Sequence, residues 1–195
     1  TGSLDVQKTW ERIIRRSGLN LSYSQGFHPK ARINQASPLP LGYIGANEII
    51  DVWLVGECDL QMALDNIQKA CPPGIQVLRM AFIQEDKPNL QSCVKAAEYV
   101  IKMDKRWTPN LAKNVTRILG SESIMRTRGN KTYDLRPLIM KMELNPEVDA
   151  NNCYFLCMTL SATEGKTGRP DEVLLELGID PGQVLIERVN IFFIN

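Results

Sequence analysis

The side chain best equipped for chemistry is His28, the only histidine among 195 residues. It lies in Tyr23-Ser-Gln-Gly-Phe-His-Pro29, where an aromatic pair, an imidazole and an amide surround one flexible glycine, Gly26. An imidazole in such a loop can act as a general base, as a phosphate donor when protonated, or as a stacking partner for a nucleobase. The structural alternative is a loop whose Phe27 plugs the core while His28 caps a carbonyl and Pro29 ends the turn. No second histidine exists to complete a dyad, and the sequence does not show which acid lies near, so an enzyme using His28 in acid–base catalysis ranks last among the readings.

Cations flank this loop. From Lys8 to Arg32 there are six Lys or Arg against one acid, and from Lys95 to Lys141 eleven against four, whereas Met142 to Asn195 carries three against nine. The net charge of +1 excludes a nucleic-acid binder that relies on overall basicity, but segregation of this kind can build a basic face on a neutral chain. The alternative is ordinary solvated surface charge. Read as binding residues, the first patch holds Arg12, Arg15, Tyr23, Gln25, Phe27, His28, Lys30 and Arg32, with its four cations on one continuous surface beside the loop. The second lies in Arg126-Thr-Arg-Gly-Asn-Lys-Thr-Tyr133, where alternation puts Arg126 and Arg128 on one side of a strand and Lys131 and Tyr133 across from them. Backbone charge and base faces are what single-stranded RNA offers such a surface. Arg136, flanked by Leu135, Leu138 and Ile139, reads instead as a half-buried structural arginine paired with a carboxylate.

Other chemistries find little support. Cys153 and Cys157 share a strand face but stand about 13 Å apart, too far to hold one ion. Cys58, Cys71 and Cys93 have no neighbouring ligand residue, and five cysteines without CxxC spacing read as reduced thiols in a cytoplasmic protein. No GxGxxG, P-loop or CxxxCxxC motif occurs, so no metal site and no cofactor is expected in this chain. Charges interrupt every apolar run well before the roughly 18 residues a membrane helix needs, and without a charged-then-apolar stretch and small-residue cleavage site secretion is not expected.

The elements that would position these residues are well signalled. Ser3 can cap a first helix whose apolar stripe is Val6, Trp10, Ile13 and Ile14, with Lys8, Glu11, Arg12 and Arg15 on the other side and Gly18 closing it. Residues 49–55 read as a strand, Asp59 caps a helix carrying Leu60, Ala63, Leu64 and Ile67, and residues 75–83 read as a further strand. Asp86-Lys-Pro-Asn89 marks a linker. A similar order then recurs: strand 98–103, a helix opened by Thr108-Pro109 with Leu111, Ala112, Val115, Ile118 and Leu119 inward, a hairpin turning at Gly129-Asn130, strand 152–160, helix 170–177 and strand 184–194.

Several stretches together resemble a known family. Leu21-Ser-Tyr-Ser-Gln-Gly-Phe-His-Pro-Lys-Ala-Arg-Ile-Asn-Gln-Ala-Ser-Pro-Leu-Pro-Leu-Gly-Tyr43 is similar to the signature of the radical-SAM-linked domain of unknown function, a bacterial family encoded beside, or fused to, B12-binding radical SAM proteins. Ala96-Ala-Glu-Tyr99, Asp134-Leu-Arg-Pro-Leu-Ile139 and Gly168-Arg-Pro-Asp-Glu-Val-Leu-Leu-Glu-Leu-Gly178 match downstream in the expected order, so the resemblance spans essentially the whole chain. In that family a basic strand precedes the segment corresponding to Gly2-Ser-Leu-Asp5. Combined with the element order, this implies an α+β fold of two tandem ferredoxin-like βαββαβ units, the first lacking its N-terminal strand. The units are expected at 1–84 and 94–195, with a linker at 85–93. The resemblance further implies a radical SAM protein as partner, fused or separate, which alone would carry the iron–sulfur cluster, S-adenosylmethionine and cobalamin. The leading reading is therefore an accessory module that recognises RNA or ribosomal components for that enzyme, not itself an enzyme. The alternative is a scaffold that binds only the radical SAM partner.

Overall fold

The computed structural model describes residues 3–84, 87–104, 110–145 and 153–194, and the chain divides into two compact α+β units. One is Thr1–Leu41 with Ile49–Gln91; the other is Gly42–Glu48 with Ser92–Asn195. Residues 42–48, inside the span expected for the first unit, thus fold with the second.

In the first unit, helix α1 (Ser3–Arg16) buries Ile13 and Ile14 and ends at Gly18, whose positive φ of 79° lets the chain leave the helix without a Cβ clash. The chain then forms a small sheet. Strand β1 (Ile33–Gln35) pairs antiparallel with β3 (Ile50–Val52), and isolated bridges join Leu21 to Leu54 and Tyr23 to Ala31. Helix α2 (Leu60–Ala70) starts as its sequence demands: the Asp59 carboxylate accepts the Met62 amide at 2.8 Å. Ile13, Ile14, Leu21, Ala31, Ile33 and Ile67 form the core between helices and sheet, with Trp10, Val52, Leu54, Val77 and Met80 packed around it. Each of the buried Ile and Leu side chains contributes roughly 1.5–3 kcal/mol by leaving water.

The second unit has the ferredoxin-like order in full. Strand β2 (Ile44–Gly45) comes from the inserted segment; then follow β4 (Val94–Met103), α3 (Leu111–Gly120), a hairpin of β5 (Met125–Arg128) and β6 (Lys131–Asp134), β7 (Ile139–Asn145), β8 (Tyr154–Thr163), the short β9 (Lys166–Thr167), α4 (Pro170–Glu176) and β10 (Leu185–Phe193). The main sheet runs β2-β10-β4-β8-β7, antiparallel throughout except where β2 lies parallel to β10. Ile101, Leu156, Met158, Leu160 and Ile186 of the sheet meet Leu111, Val115 and Ile118 of α3 and Val173 and Leu174 of α4. Alternation along the strands explains the selection, since odd positions of β4 and even positions of β8 face the helices.

Two expectations need correction. Residues 75–83, read as a strand, form no ladder, although Ile75, Val77 and Met80 still pack on the first core. Alternating apolar residues specify a face but not a backbone partner. In the second unit the last strand β10 is held by β4, which precedes that unit's first helix. Ala112, expected inward, is exposed on α3. The Ser3 side chain, Asp86, Thr108-Pro109 and Asn152 lie outside what the structure describes.

Candidate nucleic-acid interface

The loop around His28 is the tip of a β-hairpin. The Tyr23–Ala31 bridge brings its ends together, the Ser24 amide donates to the Lys30 carbonyl at 2.8 Å, and the Lys30 amide donates back to Ser24 Oγ at 3.0 Å. Gly26, with φ of 125°, supplies the turn that a residue with a Cβ rarely makes. Phe27 does not plug the core: it is 102% exposed, as open as a side chain can be. His28 is exposed too and has no hydrogen-bond partner among the described residues, so neither the carbonyl cap nor a carboxylate-poised base is seen. Gln25 is exposed beside them.

The four cations of this patch divide between two faces, contrary to the expectation of one continuous surface. Arg12 and Arg15 are exposed on α1, and the helix is tied to the hairpin by Tyr23, whose hydroxyl donates to Glu11 Oε1 at 3.1 Å. Desolvation and that hydrogen bond push the Tyr23 phenol up. Ala31 and Ile33 point into the core shared with α1, so Arg32 between them points away from it. There its guanidinium lies 4.8 Å from the Trp53 ring centroid. Alternation carries Lys30 to the same side as Arg32. Trp53 is a site residue that sequence reading missed, because a Trp inside an Ile- and Val-rich strand looks like core. The face is not purely basic. Asp51 stands opposite Asn34 on it, and burial holds its carboxyl above the usual range, which makes that negative charge easier to neutralise.

In the second unit the predicted hairpin forms with the expected register, Arg126 opposite Tyr133 and Arg128 opposite Lys131, around Gly129 at φ 56°. Its side chains have different fates. Arg126 is engaged with α4: Nε donates to Glu172 Oε2 at 3.0 Å and Nη1 lies 3.5 Å from Glu176 Oε2. Glu176 also takes Arg117 Nη1 at 3.0 Å. Tyr133 is half-buried, its phenol pushed up by burial and by the Glu172 charge. Arg128 and Lys131 are exposed and face each other without an acid partner among the described residues. Two like charges directly across a ladder repel, and an anion laid between them removes the repulsion. Arg136 is structural, but through carbonyls: it donates Nη2 to Leu119 O at 2.8 Å and Nη1 to Ile139 O at 3.1 Å.

The segment just downstream of the signature anchors to the second unit's sheet. Arg188 of β10 is only 1% exposed and donates to Glu48 through Nε, at 2.8 Å, and through Nη2. Burial works against this cation, but the Glu48 carboxylate and Tyr99 outweigh it and hold its pKa above the ordinary arginine value. Asn47 Nδ2 donates to Val189 O at 3.0 Å, and the Tyr43 ring meets Tyr99 edge-on with centroids 6.2 Å apart. Gly45 has a steric reason: a Cβ there would stand 2.5 Å from Glu48 Cγ and push the carboxylate off Arg188.

All five cysteines are free thiols. Among the described residues no cluster of His, Cys, Asp and Glu could hold a metal ion, and no helix is long and apolar enough to cross a membrane. The family described as "Uncharacterized protein conserved in bacteria (DUF2344)" matches residues 1–170. Among curated proteins none matches the chain.

Proposed function

We propose, on the premise that this chain belongs to that family of uncharacterized bacterial proteins, that it is an accessory RNA- or ribonucleoprotein-recognition module. It serves, on this reading, a radical SAM modification enzyme supplied by a separate chain or a fused region, in the cytoplasm. The observation that carries the RNA reading is the first unit's pairing of a fully exposed Phe27 and His28 at a hairpin tip with Arg32 laid over Trp53 on the adjoining sheet face. Aromatic faces accept unstacked bases, and Lys30 and Arg32 supply charge for the backbone between them. The second unit separately exposes the Arg128–Lys131 pair, a cationic surface of its own.

The test is fluorescence anisotropy of a labelled single-stranded RNA against the native chain and Trp53→Ala. A stacked base is worth about 1–3 kcal/mol, so the variant should bind roughly tenfold weaker. Arg32→Ala should in addition flatten the dependence of affinity on salt, because fewer counterions are released. Absence of RNA binding, or binding indifferent to salt, rejects the reading. A second reading, a scaffold that docks only on the radical SAM partner, draws on Phe27 alone, since an isolated exposed aromatic is also the shape of an anchor for a partner's pocket. That scaffold would need Phe27 but neither Arg32 nor low salt.

A further inference from the structure

The helices of the first unit carry a basic feature that neither the hairpin nor the signature accounts for. An open pocket of about 420 Å³ is lined by Arg16, Ser17, Asn66, Lys69 and Ala70, where the last turns of α1 and α2 come together. Its lining offers a guanidinium, an ammonium and a carboxamide, and no carboxylate. Glu11 of α1 and Asp65 of α2 are engaged elsewhere: Glu11 accepts the Tyr23 hydroxyl, and Asp65 accepts Gln61 Nε2 at 3.0 Å. Neither Arg16 nor Lys69 has an ion-pair partner among the described residues. The Ser17 hydroxyl gives its hydrogen to Ile14 O at 2.7 Å, so Ser17 shapes the wall and does not donate into the pocket.

Cations at helix C-termini are common, because they complement the negative end of each helix dipole. That explains Arg16 and Lys69 singly. It does not explain why two unpaired cations and an uncommitted amide share one concavity. We infer that this pocket binds a phosphate group, with Arg16 supplying forked donors, Lys69 a compact charge and Asn66 Nδ2 a third donor. Arginine's planar fork matches two phosphate oxygens at once, and lysine acts as a point charge beside it. The lining is polar and holds no aromatic ring, so the recognised moiety is the phosphate and not a base. The phosphate belongs either to an RNA backbone or to a phosphorylated small molecule. The inference stands on these residues alone, independent of the hairpin.

The experiment is titration of the isotope-labelled native chain with inorganic phosphate at constant ionic strength, followed by amide NMR. The expected result is saturable shifts at the Asn66 side-chain amide and at the backbone of residues 16–18 and 66–70, with phosphate binding about tenfold weaker in the Arg16→Ala/Lys69→Ala double variant. Both substitutions are on exposed helix ends, and an unchanged circular dichroism spectrum establishes that the variant is folded. Absence of saturable shifts, or equal affinity in the native chain and the double variant, overturns the inference. Single-stranded RNA added to the phosphate-loaded protein then identifies the source: displacement assigns the site to backbone phosphate, and retained phosphate assigns it to a free phosphorylated compound. Failure of the RNA reading would leave the phosphate shifts in place, so the two can fail separately.

Discussion

Removing the Glu48 carboxylate should destabilise the second unit far more than its position in an exposed segment implies. Arg188 is buried and cannot be deprotonated, so Glu48→Ala takes the carboxylate away from a cation held inside the protein. Breaking a buried pair in this way typically costs 3–5 kcal/mol. The Glu48 side chain is 31% exposed, so water can reach part of the vacated site, and the low end of the range, about 3 kcal/mol, applies. With a urea dependence of about 2 kcal/mol per molar for a unit of this size, the unfolding midpoint followed by circular dichroism should fall by about 1.5 M. Gly45→Ala should reproduce part of the loss, because its Cβ would displace the Glu48 side chain. The double variant Glu48→Leu/Arg188→Met should recover most of it, since the cost lies in the unpaired charge and not in the lost contact. A midpoint shift of less than about 0.3 M in Glu48→Ala, or no recovery in the double variant, would refute the reasoning.

Other consequences are equally open to measurement. Arg126→Ala and Arg128→Ala should part company in thermal unfolding: the first strips Glu172, whose side chain is 10% exposed, of its partner and costs about 2 kcal/mol, less than a wholly buried pair because Arg126 is 24% exposed, while the second changes stability little. Adding Glu172→Gln to Arg126→Ala should restore most of the loss. Asp134 accepts the Ile124 amide at 2.8 Å and the Arg136 amide at 3.0 Å, and the Ile124 bond is the chief cause of its lowered pKa. Its contribution is therefore complete above the ordinary carboxylate pKa of about 3.9 and is lost as pH falls through the lower folded value. Denaturant midpoints between about pH 6 and 2 should accordingly show a shallower acid limb in Asp134→Ala, and identical limbs would dismiss the role. If His28 contacts RNA, His28→Ala should weaken RNA affinity several-fold, and equal affinity in the native chain and the variant would remove His28 from the interface.

Local physics was legible in the chain. Gly18 closing α1, Asp59 capping α2, Gly129-Asn130 turning the hairpin and the apolar stripe of Trp10, Ile13 and Ile14 follow from neighbours a few residues apart, and each appears where its chemistry requires. The signature hairpin was legible as a loop, and its half-polar, half-aromatic composition pointed to a surface. The α+β class followed from element order. What the sequence could not supply was the identity of long-range partners. Glu48 and Arg188 are 140 residues apart, and Arg126 and Glu172 are 46 apart. Nothing local distinguishes Arg126, held by α4, from Arg128, two residues on and facing solvent. Likewise the alternation in residues 75–83 prescribes a buried side but not a strand to bond to. The placement of Arg32 over Trp53, away from Arg12 and Arg15, was decided by Ala31 and Ile33, whose burial against α1 fixes the phase of the strand. A side chain's face is set by its own strand's period, but its charge state, its partner and its freedom to bind something else are set by whatever the fold brings up against that face.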